Sequence, residues 1–564
     1  MVQGLSRDPQ RHQTLSHMDA NVRPPLARID RERWPSELGL TALLLALGVA
    51  QALSMAWPFA GSWQGQASGT LQLISLTGFA LLLHASESPK RAFVRGWWFA
   101  TGWLLASIWW LYISMHVYGG MPASLAALAV FLLAAGLALF YAAASGAYRL
   151  ACAPDARAMS HALAFSAVWL LAELTRGNLW TGFPWAAAGY AHVDSLMREW
   201  ASWAGVYGLS AISAWVTMLL AASWRGRTWQ TWPRPRTSWW RGSLMGAALV
   251  ISWFASTWDQ SSAEPSPSKQ PLTVTLLQGN VPQDLKFGEG VGLALRDYRD
   301  ALLHNTSDLI VTPETAIPLL PDYLPEGYWP LLQQRYAQGQ QAALIGLPLS
   351  APAAAGVPQY TNSALALVPG AAPDAYRYDK HHLVPFGEFV PPMFRWFVQL
   401  MHIPLGDFAR GQVVQPPLLW HGERIAPNIC FEDLFGEELA QSFANPATAP
   451  TLLLNLSNIA WFGDTVAIDQ HLHISRMRTL ELGRPMLRAT NTGATAIINA
   501  QGVVTHQLPS GVKGALTAEV HGVDGPATPY ARWVSAWGLW PLAVGAALVL
   551  GGVAWRTHRK SPRK

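Results

Sequence analysis

The chain has 564 residues, 51 % of them hydrophobic and only 13 % charged, which is too long for one ordinary domain and too apolar for a wholly soluble one. A formal charge of +5 invites a nucleic-acid reading, but Arg and Lys fall largely in tails and short loops between apolar runs, a distribution that signals membrane topology and excludes a nucleic-acid footprint. Many of the 29 Trp stand at the ends of those runs, where an amphipathic ring suits the lipid headgroup region.

The tail over 1–37 carries Arg7, Arg11, Arg23, Arg28, Arg31 and Arg33. Seven apolar stretches follow, at 38–56, 69–85, 97–115, 122–144, 160–175, 207–223 and 243–257, each long enough or nearly so to cross a hydrocarbon core. Their connections alternate. Lys90, Arg91 and Arg95, then Arg149 and Arg157, then Arg225, Arg227, Arg234, Arg236 and Arg241 fill every second loop, while the loops between carry few basic residues or none. Because basic segments resist translocation, both chain termini are expected on the cytoplasmic side. The first apolar run is too long for a cleavable signal and is expected to stay as an anchor. The aromatic stretch Trp180–Trp203 either lies along the outer membrane surface or forms an ordinary loop with a little helix.

With seven spans before it, the segment 258–534 is expected outside the cytoplasm. It opens with a Ser- and Pro-rich linker, Ser261–Gln270, and then changes rhythm. Short β-like runs, Leu272–Leu277, Leu309–Thr312, Ala343–Leu347, Ala364–Val368, Ile425–Cys430, Leu452–Leu456 and Ala494–Ile498, alternate with polar or helical stretches. A helix is expected over Asp469–Leu482, with Leu472, Met477 and Leu480 on its apolar face. This pattern predicts an α/β domain with several buried strands. An eighth span at 535–555 and a basic tail at 556–564 close the chain.

Only two cysteines occur, Cys152 and Cys430, and the expected topology puts them on opposite sides of the membrane, so they cannot pair. A lone cysteine in an oxidising compartment is either buried and inert or a working thiol. Cys430 stands where a strand ends and a polar turn begins, a place that exposes a nucleophile and offers main-chain N–H groups to an oxyanion. Glu314 in Ile310-Val-Thr-Pro-Glu-Thr and Lys380 in Tyr378-Asp-Lys-His-His stand at the ends of other expected strands. Together the three supply a base, a cation and a thiol.

Those three segments resemble the nitrilase superfamily, whose catalytic set is Glu, Lys and Cys in that chain order. Pro385-Phe-Gly-Glu-Phe-Val-Pro391, Gln278-Gly-Asn-Val-Pro-Gln283, Ala460-Trp-Phe-Gly463, Arg476–Pro485, Asn491-Thr-Gly493 and Thr528-Pro-Tyr-Ala-Arg532 are similar to the apolipoprotein N-acyltransferases, a membrane branch of that superfamily. The resemblance implies an αββα sandwich beside a multi-spanning helical domain of about eight spans in a bacterial inner membrane, the sandwich on the periplasmic side. It implies Glu314 as general base, Lys380 as electrostatic stabiliser and Cys430 as nucleophile, supported by Glu388, Glu432 and the neighbouring Phe431. It implies acyl transfer from a phospholipid to the α-amine of a diacylated apolipoprotein by a monomer, with no cofactor and no metal. Two rival readings are a membrane-tethered amidase acting on a small amide and a lipoprotein-binding protein without catalysis. The chain departs from the family pattern at Thr312, Phe287, Phe431 and Ile459, none of them a catalytic position.

Other polar residues read differently. His471 and His473 flank Leu472 at a spacing poor for one helix face, which favours a surface or core role over a metal site. His381 and His382 either tune the site or are simply solvated. Arg484 and Arg488 either cap a helix end or bind anionic lipid.

Overall fold

The computed structural model describes residues 36–224, 270–286, 288, 290–354, 357–372, 375–390 and 408–559. Among the described residues, the longer helices before residue 225 are α1 (Glu37–Leu53), α2 (Gly69–His84), α3 (Pro89–Ile108), α4 (Ala123–Ala151), α5 (Ala158–Asn178) and α6 (Ala201–Trp224). Local chemistry sets several of their starts. The Ser68 and Ser88 hydroxyls accept from the N–H groups of Leu71 and Arg91, and Pro89 opens α3 where its missing N–H costs nothing. For that reason α3 begins well before the expected 97 and takes Lys90, Arg91 and Arg95 into its first turns. It breaks at Trp109, and the chain continues through a turn at Leu111–Ile113 and a π-helical turn at Ser114–Tyr118.

The helices pack on aromatic rings and on close backbone approach. Trp103 stacks on Trp169 with centroids 5.8 Å apart, beside Phe79 and Phe99. A Cβ on Gly48 would lie 2.2 Å from the Phe99 carbonyl oxygen, so α1 and α3 touch main chain to main chain. By length and composition, Ala123–Ala151, Ala158–Asn178 and Arg198–Trp224 suffice to cross a membrane. The 17 residues of α1 and 16 of α2 are apolar but shorter. The expected span 243–257, the linker up to 269 and the basic tails at 1–35 and 560–564 lie outside the described residues.

The second half is a sandwich of two six-stranded sheets. Its strands are β1 (Leu272–Gln278), β2 (Leu309–Val311), β3 (Ala342–Ala354), β4 (Val357–Leu367), β5 (Tyr376–Asp379), β6 (Leu418–Trp420), β7 (Glu423–Ile429), β8 (Leu452–Ser457), β9 (Met486–Thr490), β10 (Ala496–Ile498), β11 (Val504–Gln507) and β12 (Gly514–Val520). They are ordered β12-β1-β2-β3-β4-β5 in one sheet and β11-β10-β9-β8-β7-β6 in the other. Parallel pairs form the centres: Val274 faces Leu309, Leu309 faces Ala342, Ile425 faces Leu452 and Leu453 faces Met486. Val274, Leu276, Leu344, Ile425, Leu454 and Leu487 interleave between the sheets as one core.

Helices α7 (Val291–His304) and α8 (Tyr328–Ala337) cover the outer face of the first sheet. Helix α9 (Ala467–Leu482) lies over the second, and α10 (Pro529–Trp537) packs there with Leu453, Met486 and Leu482. The expected span at 535–555 proves to be the end of α10 and most of α11 (Trp540–Arg559), with a 90° bend at Gly538 and Leu539 between them.

Helix α9 differs from the expectation of one apolar face, because every residue but Asp469 is buried. Its other side meets the helical half. Gln470 Oε1 accepts from the indoles of Trp110 at 3.1 Å and Trp185 at 2.8 Å, and Glu481 Oε1 accepts from the Val206 N–H at 2.7 Å. Arg476 pairs with Asp194, and His473 bonds the Gly65 carbonyl at 2.7 Å. The stretch Trp180–Trp203 belongs to this seam. Trp180 and Leu196 are exposed, but Trp185 to Val193 is buried and includes a 3₁₀ turn at Ala188–His192.

Candidate active site

Glu314 lies just past the end of β2. Thr312 fixes the exit from the strand, donating its N–H to the Leu344 carbonyl and accepting the Gly346 N–H on Oγ1 at 2.9 Å. A Cβ on Gly346 would sit 2.2 Å from the Pro313 carbonyl oxygen, so only glycine lets the Glu314 segment lie against β3. The carboxylate is nearly covered. Oε1 accepts from Asn362 Nδ2 at 2.7 Å and Lys380 Nζ at 3.3 Å, and Oε2 accepts from the Asn458 N–H at 2.9 Å. Burial pushes its pKa up, but the positive charges of Lys380 and Lys286 outweigh burial and hold it below the usual carboxylate range.

Lys380 follows β5, and its N–H donates to the Asn362 carbonyl at 2.8 Å. Its ammonium is 1 % exposed and clamped between two carboxylates, with Glu388 Oε2 at 2.9 Å opposite Glu314. Burial favours the neutral amine, yet Glu314 and Glu388 win and raise the ammonium well above its ordinary value. Asn362 bridges the same two carboxylates, at 2.7 Å from each. Lys286 Nζ approaches from another side and donates to the Glu314 main-chain oxygen at 3.0 Å.

Cys430 sits at the tip of β7 with φ +55°, a left-handed conformation that costs a non-glycine residue free energy and is found where surrounding contacts impose it. Its carbonyl oxygen accepts from Asn455 Nδ2 and His471 Nε2, each at 3.3 Å. The thiol faces Glu314, Lys380, Ser457 and the Asn458 N–H. Burial, then the negative charge of Glu314, push it up to about 12, so the resting site holds a thiol beside a carboxylate.

Glu432 does not touch the Lys380 ammonium. It accepts from the N–H groups of Ile429 at 2.6 Å, His381 at 2.6 Å and His382 at 3.1 Å, and from Tyr378 Oη at 2.8 Å. It therefore bolts the segment carrying Lys380 to the turn carrying Cys430. Phe431 is buried against His382 and Phe435. His382 is not solvated: it stacks on Phe435 with centroids 3.5 Å apart and bonds Glu438 and the Thr181 carbonyl.

Beneath Cys430 lies a second buried cluster. Asp433 accepts from His471 Nε2 at 2.9 Å, from Ser475 and from Arg488 at 3.3 Å. Arg488 also donates to His471 Nδ1 at 3.1 Å. A guanidinium can only donate, so the His471 proton resides on Nε2, where it serves Asp433 and the Cys430 carbonyl. Burial pushes the Asp433 carboxyl up, but His471 and Arg488 hold it below its ordinary range. Arg484 is likewise enclosed, donating to the carbonyls of Pro450, Gly483 and Gly525. Lipid-facing roles for Arg484 and Arg488 are thereby corrected: both are buried structural donors.

Family models agree with this two-part architecture. One for the apolipoprotein N-acyltransferase N-terminal domain matches residues 39–219, and one for carbon-nitrogen hydrolases matches 273–528. An apolipoprotein N-acyltransferase from Verminephrobacter eiseniae is 52 % identical, over 88 % of this chain and 92 % of its own. The chain belongs to the apolipoprotein N-acyltransferase family. Apolipoprotein N-acyltransferases from Ralstonia nicotianae and Bordetella bronchiseptica are 45 % and 39 % identical, over 86 % and 87 % of this chain and 89 % and 93 % of theirs. Within this N-acyltransferase chain the hydrolase match covers β1 to β12 and holds Glu314, Lys380 and Cys430.

The structure brings those three residues together with Glu388, and places Glu432 and Phe431 just behind them. Sequence reasoning missed Asn362, Lys286 and the Asp433–His471–Arg488 cluster. Asn362 did leave a signal, since Thr361-Asn-Ser363 is a polar run inside β4 beside the apolar Ala364–Leu367, and all three are buried. Phe287 lies outside the described residues.

Proposed function

We propose that this chain transfers an acyl group from a phospholipid to the N-terminal α-amine of a diacylglyceryl-cysteine on apolipoproteins, by ping-pong through a thioester on Cys430. The observation that carries this reading is the convergence of Glu314, Lys380 and Cys430 at one end of a sandwich that α9 locks to a set of apolar helices. Glu314 takes the thiol proton as Cys430 attacks the ester carbonyl, because a thiol at about 12 reacts only when its proton leaves with the attack. Lys380 and a main-chain N–H after Cys430 stabilise the oxyanion, a contribution of a few kcal/mol per donor. Glu314 then protonates the departing lysophospholipid oxygen, and the acceptor amine attacks the thioester.

In this reading the chain spans a bacterial inner membrane about eight times, with both termini cytoplasmic, residues 38–257 and 535–555 as membrane segments and 258–534 as the periplasmic catalytic domain. Anchoring serves the chemistry. A free-floating domain would draw acyl chains into water at about 0.8 kcal/mol per methylene, whereas a sandwich fixed to spans meets both lipids at the bilayer surface. Mass spectrometry of the purified chain after incubation with phospholipid tests the proposal. An acyl mass on Cys430 that disappears when a diacylated lipopeptide is added supports transfer, and release of free fatty acid without an acceptor would instead favour the amidase-like hydrolase.

A further inference from the structure

The connector between α5 and α6 meets the segment that carries Lys380 at a histidine ring. Where α5 ends, the chain turns back on it: the Gly182 N–H donates to the Leu179 carbonyl at 3.0 Å and the Phe183 N–H to the Arg176 carbonyl at 2.9 Å. Arg176 Nη1 also donates to the carbonyls of Phe183 and Trp185. These bonds fix the Thr181 carbonyl beside α5, and it accepts from His382 Nε2 at 2.9 Å. The same ring stacks on Phe435 and places Nδ1 3.0 Å from Glu438 Oε1. Its main-chain N–H donates to Glu432 Oε1 at 3.1 Å. Further along, the Val384 N–H donates at 2.9 Å to Glu388 Oε2, the oxygen that holds the Lys380 ammonium. His382 thus joins the Lys380–Glu388 segment, the turn after Cys430 and the connector.

The two ring contacts set the charge state of this junction. A carbonyl oxygen only accepts, so Nε2 carries a proton. Glu438 keeps 26 % of its side chain exposed, which favours the charged carboxylate over the acid, and a carboxylate also only accepts. Nδ1 then carries a proton too. Both bonds exist together when the ring is an imidazolium, and a neutral ring turns one of them into a contact between two acceptors. The charged groups around His382 are Glu438 from the helical turn Gly436–Leu439, Glu432 from the turn after Cys430, and Lys380 on its own segment. The neighbouring His381 ring is turned to the Gly411 carbonyl, and the connector presents the Thr181 carbonyl.

We propose that His382 is a positioning residue that, as an imidazolium, clips the Lys380–Glu388 segment to the connector and to Glu438, a role that rests on the acyl-transfer reading above. Histidine is the side chain that changes charge between about pH 5 and 8, so the clip closes as pH falls and opens as pH rises. Its proton goes to water, and no covalent bond changes.

The test uses full-length protein and phospholipid, read as the rate at which acyl mass appears on Cys430. E438Q is the informative variant, because a side-chain amide can donate to a bare Nδ1 or accept from a protonated one, which keeps the clip closed whatever the charge of the ring. Wild type should match E438Q near pH 6 and fall about 3- to 10-fold below it by about pH 8, for loss of one charged hydrogen bond. Lys286, whose pKa burial pulls down to about 8, titrates in both proteins and cancels in the ratio. H382Q should be about 3- to 10-fold slower than wild type near pH 6 and converge on it by about pH 8. In nitrogen NMR of histidine-labelled protein, the signal that H382Q removes should show two protonated ring nitrogens near pH 6. Wild-type and E438Q profiles that superimpose between about pH 6 and 8, or a neutral His382 ring near pH 6, overturn the proposal. If wild-type Cys430 never carries an acyl mass, the acyl-transfer reading itself fails, while the NMR signal still decides the charge of His382.

Discussion

The helical half and the sandwich bury polarity to different extents. Among the described helices before residue 225, contacts run largely through rings and close backbones, as where Trp103 lies flat on Trp169 and Gly48 meets Phe99, alongside the buried Glu173–Arg176 ion pair. The sandwich instead buries charge: Glu314, Lys380, Glu388, Glu432, Asp433, Arg478 and Arg488 are all enclosed or nearly so, each matched by partners. A helix satisfies its own backbone, so apolar helices can pack largely by shape, while a buried carboxylate needs donors or it neutralises. Helix α9 belongs to both regimes, with charged and polar side chains buried on every face.

If charge at the sandwich tip is the chemistry, its loss should have the largest effect. C430A should abolish the acyl-enzyme, and E314Q should slow its formation about 10²- to 10⁴-fold, read as the rate of acyl mass appearing on the protein. N362A removes a donor from both Glu314 and Glu388 and should lower that rate about 10- to 100-fold, the equivalent of the ~1.5–3 kcal/mol typical of a hydrogen bond to a charged group.

The seam can be broken without touching the site. Q470L leaves two buried indole N–H groups without an acceptor and should destabilise the chain by about 2–4 kcal/mol, seen as a lower midpoint of thermal unfolding in detergent. An unchanged midpoint would mean that α9 does not join the halves energetically. The smallest effect is expected at Phe431. F431Y adds a hydroxyl to a ring packed on His382 and Phe435, and should cost less than about 1.5 kcal/mol of stability while Cys430 still acylates.

The pH dependence of the first half-reaction sharpens the same contrast. The folded-state pKa of Glu314 is depressed, so its carboxylate, and the stability that its pairing supplies, persist above the ordinary carboxylate range and are lost as pH falls through the lower folded value. Thioester formation should therefore stay level down to about pH 4. An acid limb centred near pH 6 would show that Lys380 and Lys286 fail to hold the carboxylate charged.

Much of this was legible in the residues. The strand runs at Leu272, Leu309, Ile425 and Leu452 are β1, β2, β7 and β8, because β-branched and leucine-rich stretches bounded by turn residues have few other ways to bury themselves. Edge strands β5, β6, β11 and β12 were not, since their side chains are half exposed and their pattern is weak. Helix α9 was found but read as amphipathic, because periodicity cannot register a second partner on the far side.

The sequence by itself determined the chemistry available: one thiol at a strand end, a glutamate and a lysine at two others, and apolar runs flanking them. Only the tertiary structure decided what each charge does. Lys380 and Lys286 are the same residue type near the same carboxylate, yet acidic partners raise the pKa of one while burial lowers that of the other. That distinction depends on distances of about 3 Å between segments far apart in the chain, which no local pattern encodes.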